Sequence, residues 1–568
     1  MKEIKEKALQ WCEYPFDKKT QSDVKALFNH PSELKDAFYK DLEFGTGGIR
    51  GIMGVGTNRI NKYTLGKTTQ GLSLYLKKIY PNDKIKVIIA YDCRHNNVLY
   101  SKIVSSILLA NDIKVYMFSS LRTTPELSFS VRYLKTHCGI VLTASHNPPK
   151  YNGFKVYWKD GGQIVPPHDL ELMKKINSIN FDEIIFKGGN EKVNLVDQEL
   201  DKAFIKTSVK TAFQDQLKSK NLKIVYTPLH GTSVMSIPQV LKKAGHKLVT
   251  TIEEQAKPDG SFPTVKSPNP EEPEALKMAI DKALIINADI VIGTDPDSDR
   301  IGIAIKNKKG EFMILNGNQA MLIMAHFILS IRKEKGLIKP NDYIASTIVS
   351  SPVMKKVANY FGIEYIETLT GFKWIGKEIE LRKNQDFIFG GEESFGYLIG
   401  SEVRDKDAVT SALLICEIAA ILKLKGETLY DLMIECYRLY GPHKERLVSY
   451  KKVGKSGEEN IKKMMYTFRN SPPKKINNQY LTSIDDFLNS TNNNLLNKQI
   501  NKIFLPKSNV VTYTLQDDSR ISIRPSGTEP KIKFYFSVNS KSFTNNEWLS
   551  TEKELDKRID SIILDLKL

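Results

Sequence analysis

The sequence has few cysteines: five in 568 residues, an odd number without the spacing of a metal site or a disulfide framework. This scarcity argues against a secreted, disulfide-stabilised protein and favours a reducing, cytoplasmic location. Long apolar runs are also lacking, since no stretch approaches the roughly 20 apolar residues that span a membrane. The start of the chain, 1–7, is charged and has no apolar signal core. We therefore expect a cytoplasmic protein without a membrane partner.

Acidic residues are in the minority, with 65 Asp and Glu against 83 Lys and Arg, and the net charge is +18. An excess of basic charge can indicate nucleic-acid binding. Here the lysines are spread along the chain among acidic residues, and the sequence shows no basic helix, zinc finger or aromatic–basic sheet pattern. We therefore expect no nucleic-acid partner. A general bias towards lysine and asparagine explains the charge, which can also steer anionic small molecules into a cleft.

The length predicts several domains, about three to five, because one core does not extend over 568 residues. Short apolar β-like runs such as 86–91, 113–118 and 222–226 alternate with helical stretches through the first three quarters. This alternation predicts α/β domains with mainly parallel mixed sheets. The last quarter instead has two alternating strands and a closing helical pattern, which predict an α+β domain.

The expected domain boundaries lie near 205, 318 and 443. They give three α/β domains, 1–205, 206–318 and 319–443, and an α+β domain, 444–568. In open α/β sheets, ligands bind at the carboxyl ends of the strands, so we expect the functional turns there. The asparagine-rich segment 489–494 predicts a polar loop, an insertion between ordered elements.

Ser145 lies in a polar turn that directly follows the apolar β-like stretch 139–142 and ends in Pro148 and Pro149. A strand that delivers a hydroxyl to a turn is a common way to present a nucleophile or a phosphate carrier. The alternative is a plain turn, which most Thr/Ser/Asn/Pro clusters form. Three further motifs favour the nucleophile.

Three carboxylates alternate in a tight turn directly after an apolar stretch that predicts a buried strand: Asp295, Asp297 and Asp299. Such charges repel one another unless a cation neutralises them, and oxygen ligands suit Mg²⁺ or Ca²⁺. One alternative is a solvated acidic turn. An EF-hand does not fit, because Arg300 stands where its loop needs glycine and Lys306 where it needs glutamate. Three protein ligands leave room for a substrate or phosphoryl oxygen.

The segment 524–530 combines an arginine, two hydroxyls and a glycine, an inventory typical of a phosphate site. Lys533 follows it and can add charge. The flanking segments 520–523 and 531–536 alternate as strands do, so the same residues also predict a hairpin turn. Both interpretations can hold together, because a hairpin can carry a phosphate site.

A fourth motif, 390–396, follows the apolar stretch 387–389 and contains Glu392 and Ser394. A carboxylate and a hydroxyl at a strand end are suited to bind sugar hydroxyls.

Together these four motifs resemble those of the α-D-phosphohexomutase superfamily, which includes phosphoglucomutases and phosphomannomutases. They occur in the family's order, at 143–148, 295–300, 391–394 and 524–528, and the resemblance covers nearly the whole chain. The segments 44–51, 91–96, 228–232, 369–373 and 404–407 also resemble family elements. The chain is most similar to the subgroup that contains phosphoglucomutases, phosphopentomutases and sugar-bisphosphate synthases.

The resemblance implies an isomerase that moves a phosphoryl group between C1 and C6 of a sugar by way of phosphorylated Ser145. A sugar 1,6-bisphosphate turns around between the two transfers. Mg²⁺ is the implied cofactor, held by the three aspartates and a phosphoserine oxygen of Ser145. Phe395 stands where many phosphomannomutases have glycine, which favours glucose as the sugar and glucose 1,6-bisphosphate as activator and intermediate. We expect small sugar phosphates as partners, and a monomer or weak dimer.

The resemblance also implies roles for other side chains. Lys155, Lys406 and His146 are the candidates for the general base and acid, with phosphate binding as the alternative for either lysine. A lysine that acts as a base needs a lowered pKa. Arg50 and Arg300 are expected to stabilise the transferring phosphoryl group. Sugar hydroxyls and the non-reacting phosphate are expected to contact these substrate-binding residues: Arg300, Thr370, Gly371, Glu392, Ser394, Arg524, Ser526, Gly527, Thr528 and Lys533.

Lys533 departs from parts of the family, in which some members have arginine. Lysine lacks the fork geometry of arginine, so the phosphate contact at this position is less defined.

Several alternatives stay open at this point. Phosphomannomutase or phosphopentomutase activity is one. A Mg²⁺-dependent phosphatase of the haloacid-dehalogenase type also uses an Asp-x-Asp pair, but its pair comes early in the domain and it lacks the Ser145 and Arg524 motifs. A non-enzymatic sugar-phosphate sensor would not need an intact nucleophile.

Overall fold

The computed structural model describes residues 1–45, 48–189, 192–213, 221–451, 454–526, 531–540, 543 and 548–568. In chain order its helices are α1 (Lys2–Gln10), α2 (Lys18–Leu27), α3 (Pro31–Phe38), α4 (Lys62–Ile79), α5 (Asn97–Ala110), α6 (Thr124–Tyr133), α7 (His168–Asn177), α8 (Gln198–Val209), α9 (Ile237–Lys243), α10 (Glu253–Ala256), α11 (Pro273–Ile285), α12 (Gly317–Glu334), α13 (Val353–Phe361), α14 (Phe372–Leu381), α15 (Ala408–Leu424), α16 (Leu429–Tyr440), α17 (Gly454–Asn470) and α18 (Trp548–Asp565).

The strands, again in chain order, are β1 (Phe44–Gly45), β2 (Gly48–Ile52), β3 (Lys86–Tyr91), β4 (Lys114–Met117), β5 (Cys138–Leu142), β6 (Tyr151–Trp158), β7 (Asn194–Leu195), β8 (Ile224–Thr227), β9 (Val249–Thr251), β10 (Ile290–Thr294), β11 (Ile301–Lys306), β12 (Phe312–Ile314), β13 (Asp342–Thr347), β14 (Glu364–Thr368), β15 (Asp386–Glu392), β16 (Gly396–Ile399), β17 (His443–Lys451), β18 (Lys475–Ile476), β19 (Gln479–Asp486), β20 (Thr491–Asn494), β21 (Gln499–Lys502), β22 (Val511–Leu515), β23 (Arg520–Pro525) and β24 (Lys531–Asn539).

The chain forms two compact units. The first contains residues 1–314, 375–383 and 394–424, and the second contains 315–374, 384–393 and 425–568. The four domains expected from the sequence divide the chain differently, and their boundaries stay predictions.

In the first unit, a seven-stranded sheet has the order β1-β2-β6-β5-β3-β4-β7. The strands β5, β3, β4 and β7 pair in parallel, and β1, β2, β6 and β5 pair antiparallel. Side chains of β3 alternate between two cores: Val87 and Ile89 face α4 and α5, whereas Ile88 and Ala90 face α6. Both faces of the sheet are therefore covered, as expected for strands that read as continuous apolar runs.

A second sheet of the first unit has the order β12-β11-β10-β8-β9. Its strands β10, β8 and β9 pair in parallel, and β11 and β12 are added antiparallel. Residues 295–300 form the turn between β10 and β11, so the aspartate motif leaves the carboxyl end of a parallel strand.

In the second unit, β14, β13 and β15 pair in parallel. The last part of the chain forms an antiparallel sheet in the order β17-β24-β23-β22-β19-β20-β21, with β18 beside β19. Apolar side chains of α17 and α18, including Met465 and Ile559, pack against those of its strands. The predicted fold class, three α/β domains with mixed sheets followed by an α+β domain, is confirmed.

One prediction about local structure was wrong. The asparagine-rich segment 489–494 was expected to be a loop, but residues 491–494 form β20 between β19 and β21. Asn492 lies opposite Asp485 and donates a hydrogen bond to its carboxylate at 2.5 Å. Backbone pairing with two neighbouring strands outweighs the low strand preference of asparagine.

We predict that Ile559→Ala lowers the free energy of unfolding of the C-terminal sheet by about 2–5 kcal/mol, because the side chain is fully buried and its removal leaves a cavity. Native-state hydrogen exchange of β22, β23 and β24 in increasing urea measures this change. Lys557→Ala on the exposed side of α18 is the control, with an expected effect within about 0.5 kcal/mol. Equal protection in both variants would contradict the packing described.

Candidate active site

The nucleophile candidate Ser145 is placed by the turn after β5. Its Oγ donates a hydrogen bond to Asp295 Oδ2 at 2.6 Å and lies 3.2 Å from His146 Nδ1. The residue is 1% exposed, and its φ of 51° lies in the left-handed region, which residues other than glycine seldom adopt. The hydroxyl is thus fixed beside a carboxylate that lies 150 residues further along the chain.

The three aspartates after β10 form one buried cluster. Asp295, Asp297 and Asp299 are at most 2% exposed, and one carboxylate oxygen of each lies within 4.8 Å of the others. The alternative of a solvated acidic turn is therefore wrong. The turn itself is held by Asp295 Oδ1, which accepts the backbone N–H groups of Asp299 at 3.1 Å and Arg300 at 3.0 Å.

This cluster fits a divalent cation. Within the described part of the chain, Asp297 Oδ1 and Asp299 Oδ1 are buried oxygens without a hydrogen-bond donor. Buried, charged oxygens need compensation, and carboxylates are the ligands that Mg²⁺ prefers. The remaining carboxylate, Asp295, is the one that accepts the Ser145 hydroxyl.

Two lysines contact the same carboxylates. Lys155, on β6, donates to Asp297 Oδ2 at 2.7 Å and to Asp299 Oδ2 at 3.2 Å. Lys406 Nζ lies 3.2 Å from Asp299 Oδ2 and 3.0 Å from Asp405 Oδ1. Both lysines are more than nine-tenths buried, so the site alternates negative and positive groups over a few ångströms.

The charges of this cluster shift the pKa values of its own lysine and aspartates. Burial by itself lowers the pKa of Lys155, but Asp297 and Asp299 outweigh it and the pKa is raised. Burial would raise the pKa of Asp299, which Lys155 and Lys406 instead hold well below its usual range. For Asp295, burial and the two neighbouring carboxylates raise the pKa well above the usual value. A raised pKa is opposite to what a lysine base needs and keeps Lys155 an ammonium ion.

Lys406 is oriented by Asp405, whose other oxygen, Oδ2, accepts hydrogen bonds from Tyr157 at 2.7 Å and Gln163 at 2.6 Å. Tyr157 and Gln163 were not expected from the sequence, since they lie more than 240 residues before Asp405.

His146 and two arginines surround the Ser145 turn. Burial, followed by the positive charges of Arg300 and Arg50, lowers the pKa of His146 well below its usual value. Its ring is therefore neutral, and the lowered pKa makes it a weak base. Arg50, on β2, donates to Asn147 Oδ1 at 3.3 Å, and Arg300 forms an ion pair with Glu271.

Thr124 is a further residue at the cluster that sequence analysis did not identify. At the first turn of α6, its N–H donates to the carbonyl of Asp297 at 2.9 Å, and its Oγ1 donates to Asp297 Oδ2 at 3.1 Å. A helix N-terminus stabilises nearby negative charge. The Thr-Thr-Pro sequence at 123–125 marks this helix start, a signal that could have pointed to the position.

In the second unit, the expected sugar-binding side chains meet at strand ends. Glu392, the last residue of β15, accepts the Gly371 N–H through Oε1 at 2.8 Å. The neighbouring Glu393 instead accepts hydrogen bonds from Thr347 and Ser350. Thr370 Oγ1 is buried without a hydrogen-bond partner among the described residues. Ser394, by contrast, belongs to the first unit.

The expected phosphate site lies on the hairpin of β23 and β24, also in the second unit. Arg524 and Lys533 are directly opposite each other in the ladder, and the Ser526 N–H donates to the Lys531 carbonyl at 2.6 Å. The predicted residues Gly527 and Thr528 lie outside the described residues. Burial raises the pKa of Tyr535, a residue the sequence did not suggest, and the positive charge of Arg524 partly offsets this shift.

Three stretches of the chain match the phosphoglucomutase/phosphomannomutase family: residues 41–183 match its α/β/α domain I, 202–310 its domain II and 316–440 its domain III. A phosphoglucomutase of Staphylococcus aureus (strain MSSA476) is 37% identical over 540 residues, which cover 93% of this chain and 95% of the relative.

Two solved structures share the fold. Parafusin of Paramecium, an exocytosis-sensitive phosphoprotein also named phosphoglucomutase, has a TM-score of 0.68 at 19% identity, covering 93% of this chain and 96% of that protein. An N-acetylphosphoglucosamine mutase of Aspergillus fumigatus, in complex with glucose 1,6-bisphosphate, has a TM-score of 0.51 at 11% identity, covering 99% and 98% of the two chains.

We predict that Asp297→Asn weakens Mg²⁺ binding by at least about 10-fold, because the substitution removes the charge of a buried ligand while keeping its shape. Isothermal titration calorimetry of the purified protein with Mg²⁺ measures the affinity. Asp281→Asn is the control: this carboxylate is exposed and pairs with Lys277 on the same helix. If both variants bound Mg²⁺ as the unmodified chain does, the cluster would not be the metal site.

Proposed function

Because the chain belongs to the phosphoglucomutase/phosphomannomutase family of the α-D-phosphohexomutase superfamily, it is a phosphosugar mutase, and we propose that it interconverts α-D-glucose 1-phosphate and glucose 6-phosphate. One observation carries the proposed chemistry: the Ser145 hydroxyl is hydrogen-bonded to a buried cluster of three carboxylates. A phosphatase of the haloacid-dehalogenase type would need no such serine, and a sensor would need no nucleophile.

In the proposed reaction, Ser145 carries the phosphoryl group. The C6 hydroxyl of glucose 1-phosphate attacks the phosphorus, an O–P bond to the sugar forms, and the bond to Ser145 Oγ breaks. The resulting glucose 1,6-bisphosphate turns around and returns its C1 phosphate to Ser145. Each transfer depends mainly on positioning and on neutralising charge.

Mg²⁺ is the proposed cofactor. Asp295, Asp297 and Asp299 would hold it together with a phosphoserine oxygen, and it would supply positive charge to the transferring group. Arg50 and Arg300 would add donors to the equatorial phosphoryl oxygens.

Two protons also move. Ser145 Oγ needs a proton when it leaves, and we assign this role to Lys155, whose raised pKa keeps it protonated within the cluster. The sugar hydroxyl loses a proton, for which Lys406 and the neutral His146 are the two candidate acceptors.

The proposal extends to the residues that bind the sugar and the non-reacting phosphate. Thr370, Gly371, Glu392 and Ser394 would contact sugar hydroxyls, and Glu392 has one oxygen already fixed by the Gly371 N–H. The non-reacting phosphate would contact Arg524, Ser526, Gly527, Thr528 and Lys533. Glucose is favoured by the name of the Staphylococcus aureus relative, and glucose 1,6-bisphosphate as activator by the ligand of the Aspergillus fumigatus relative.

We also propose a cytoplasmic location and a monomer or weak dimer. The five cysteines are free thiols, which suits a reducing compartment. Among the described residues, no helix is both long and apolar enough to cross a membrane.

The first test of this proposal is a mutase assay with Mg²⁺ and trace glucose 1,6-bisphosphate. We expect glucose 1-phosphate to be converted faster than mannose, glucosamine or ribose 1-phosphate, and Ser145→Ala to abolish the conversion because the phosphate carrier is lost. A preference of about tenfold for another sugar, equivalent to about 1.4 kcal/mol, would overturn glucose as the substrate but not the mutase reaction. Release of all labelled phosphate to water without isomerised sugar would instead favour a phosphatase.

A second test separates the proton roles. We expect Lys155→Met to lower kcat by about 10²–10⁴-fold, the usual contribution of general acid–base catalysis. If Lys406 is the base, Lys406→Met lowers kcat to a similar extent and His146→Gln does not; if His146 is the base, the order reverses. Steady-state kinetics at saturating glucose 1-phosphate measure the effects. Lys277→Met, on the exposed face of α11, is the control. Unchanged kcat in Lys155→Met would restrict this lysine to phosphate binding.

A further inference from the structure

The backbone of Ser145 is held in a conformation that its own sequence does not favour. Its φ of 51° lies in the left-handed region, which a serine adopts only when its surroundings impose it. The turn follows β5, and β3 runs beside β5 in parallel with Tyr91 opposite Leu142. The residues directly after β3 therefore lie beside the turn.

Arg94, in this segment, is bonded to the turn around Ser145. Its Nη1 donates to the carbonyl oxygens of Pro148 at 2.9 Å and Tyr151 at 2.8 Å, and its Nη2 donates to those of Ser145 at 2.6 Å and of Asn147. The guanidinium is fully buried. Only arginine presents several N–H groups in one rigid plane, so a lysine in this place would keep the charge but could not hold four carbonyl groups.

Asp92 acts on the backbone N–H of Ser145, whereas Arg94 binds its carbonyl. Its Oδ2 accepts the Thr143 hydroxyl at 2.6 Å, and Thr143 Oγ1 in turn accepts the Ser145 N–H at 2.7 Å. Asp92 Oδ1 accepts the Arg94 N–H at 2.9 Å, and Asp92 Oδ2 lies 3.5 Å from Arg94 Nε. One buried ion pair therefore acts on both the N–H and the carbonyl of the nucleophilic residue.

Gly260 and Phe262, in the segment between β9 and β10 of the first unit, cover the pair of Asp92 and Arg94. The ring of Phe262 lies 5.3 Å from the Arg94 guanidinium carbon, in cation–π contact. Gly260 passes so close that a Cβ there would lie 2.9 Å from Arg94 Cα and 2.8 Å from the Cys93 carbonyl oxygen. The guanidinium is thus confined to one position, and its hydrogen bonds hold the turn rigidly.

We propose that Asp92 and Arg94 are the positioning residues of the nucleophile: they set the left-handed backbone of Ser145 and thereby aim its Oγ at the aspartate cluster. This inference rests on the proposed function, in which Ser145 carries the phosphoryl group. Neither residue touches the reacting atoms through its side chain, so their loss is expected to affect the transfer step and not the binding of sugar phosphate.

The test is Arg94→Lys, compared with Arg59→Lys. Arg59 also donates to two backbone carbonyls, those of Asp36 and Asn58, and pairs with the Asp36 carboxylate, but does so remote from Ser145 in the chain. We expect kcat of Arg94→Lys to fall by about 10²-fold, the effect of misplacing a reacting group by about 1 Å, with KM for glucose 1-phosphate changed by less than about threefold. Arg59→Lys keeps the kcat of the unmodified enzyme.

Thr143→Val provides a second variant if Arg94→Lys does not fold. It removes only the hydroxyl that links Asp92 to the Ser145 N–H and keeps the volume of the side chain. The same fall in kcat at nearly constant KM is expected, and Thr143→Ser, which keeps the hydroxyl, restores activity. A folded Arg94→Lys or Thr143→Val enzyme with kcat within about threefold of the unmodified enzyme overturns the inference.

Hydrogen–deuterium exchange of the peptide 138–151 separates this inference from the proposed function. Faster uptake there in Arg94→Lys, but not in Arg59→Lys, supports the positioning role without any assay. If the unmodified chain showed no mutase activity, the proposed function would fail, and the exchange result alone would decide whether the pair holds the turn. Unchanged uptake would overturn the inference in that case too.

Discussion

The structure of the candidate active site depends on the compensation of buried charge. Three carboxylates are buried directly after β10, and burying an ionised carboxylate is strongly unfavourable unless it is paired with a positive charge. Lys155 and Lys406 supply the pairing, and the N-terminus of α6 adds donors through Thr124. Since each partner comes from a different element, the cluster also fixes β6, β10, α6 and the segment before α15 against one another.

The same compensation sets the chemistry. Asp295, with its pKa raised by burial and by its two acidic neighbours, receives the Ser145 hydroxyl. Lys155, with its pKa raised by Asp297 and Asp299, stays a cation close to the nucleophile. His146 is kept neutral by burial and by the surrounding arginines. Burial and neighbouring charges thus shift the pKa values of adjacent acids and bases in different directions, as is common at sites of proton transfer.

The two compact units carry different parts of the proposed reaction. The first unit contains the candidate nucleophile, the carboxylates and the candidate acid and bases, all of them buried except the partly exposed His146. The second contains Glu392 and Gly371 at the ends of its parallel strands and the Arg524 hairpin in its antiparallel sheet. Apart from Ser394 in the first unit, the described residues proposed to contact sugar hydroxyls and the non-reacting phosphate lie in the second.

The sequence by itself determined the strands around the site and the turns that carry its chemistry. The predicted strand 86–91 is β3, the strand before the aspartates is β10, and the hairpin around Arg524 pairs as its alternation indicated. Apolar periodicity and turn residues encode such features within a few neighbours. Only the tertiary structure decided the protonation of Lys155, whose carboxylate partner lies 142 residues away, the strand formed by residues 491–494, and the hold of Arg94 on the Ser145 turn. These properties arise from charges and hydrogen-bond partners brought together by folding, which no local pattern contains.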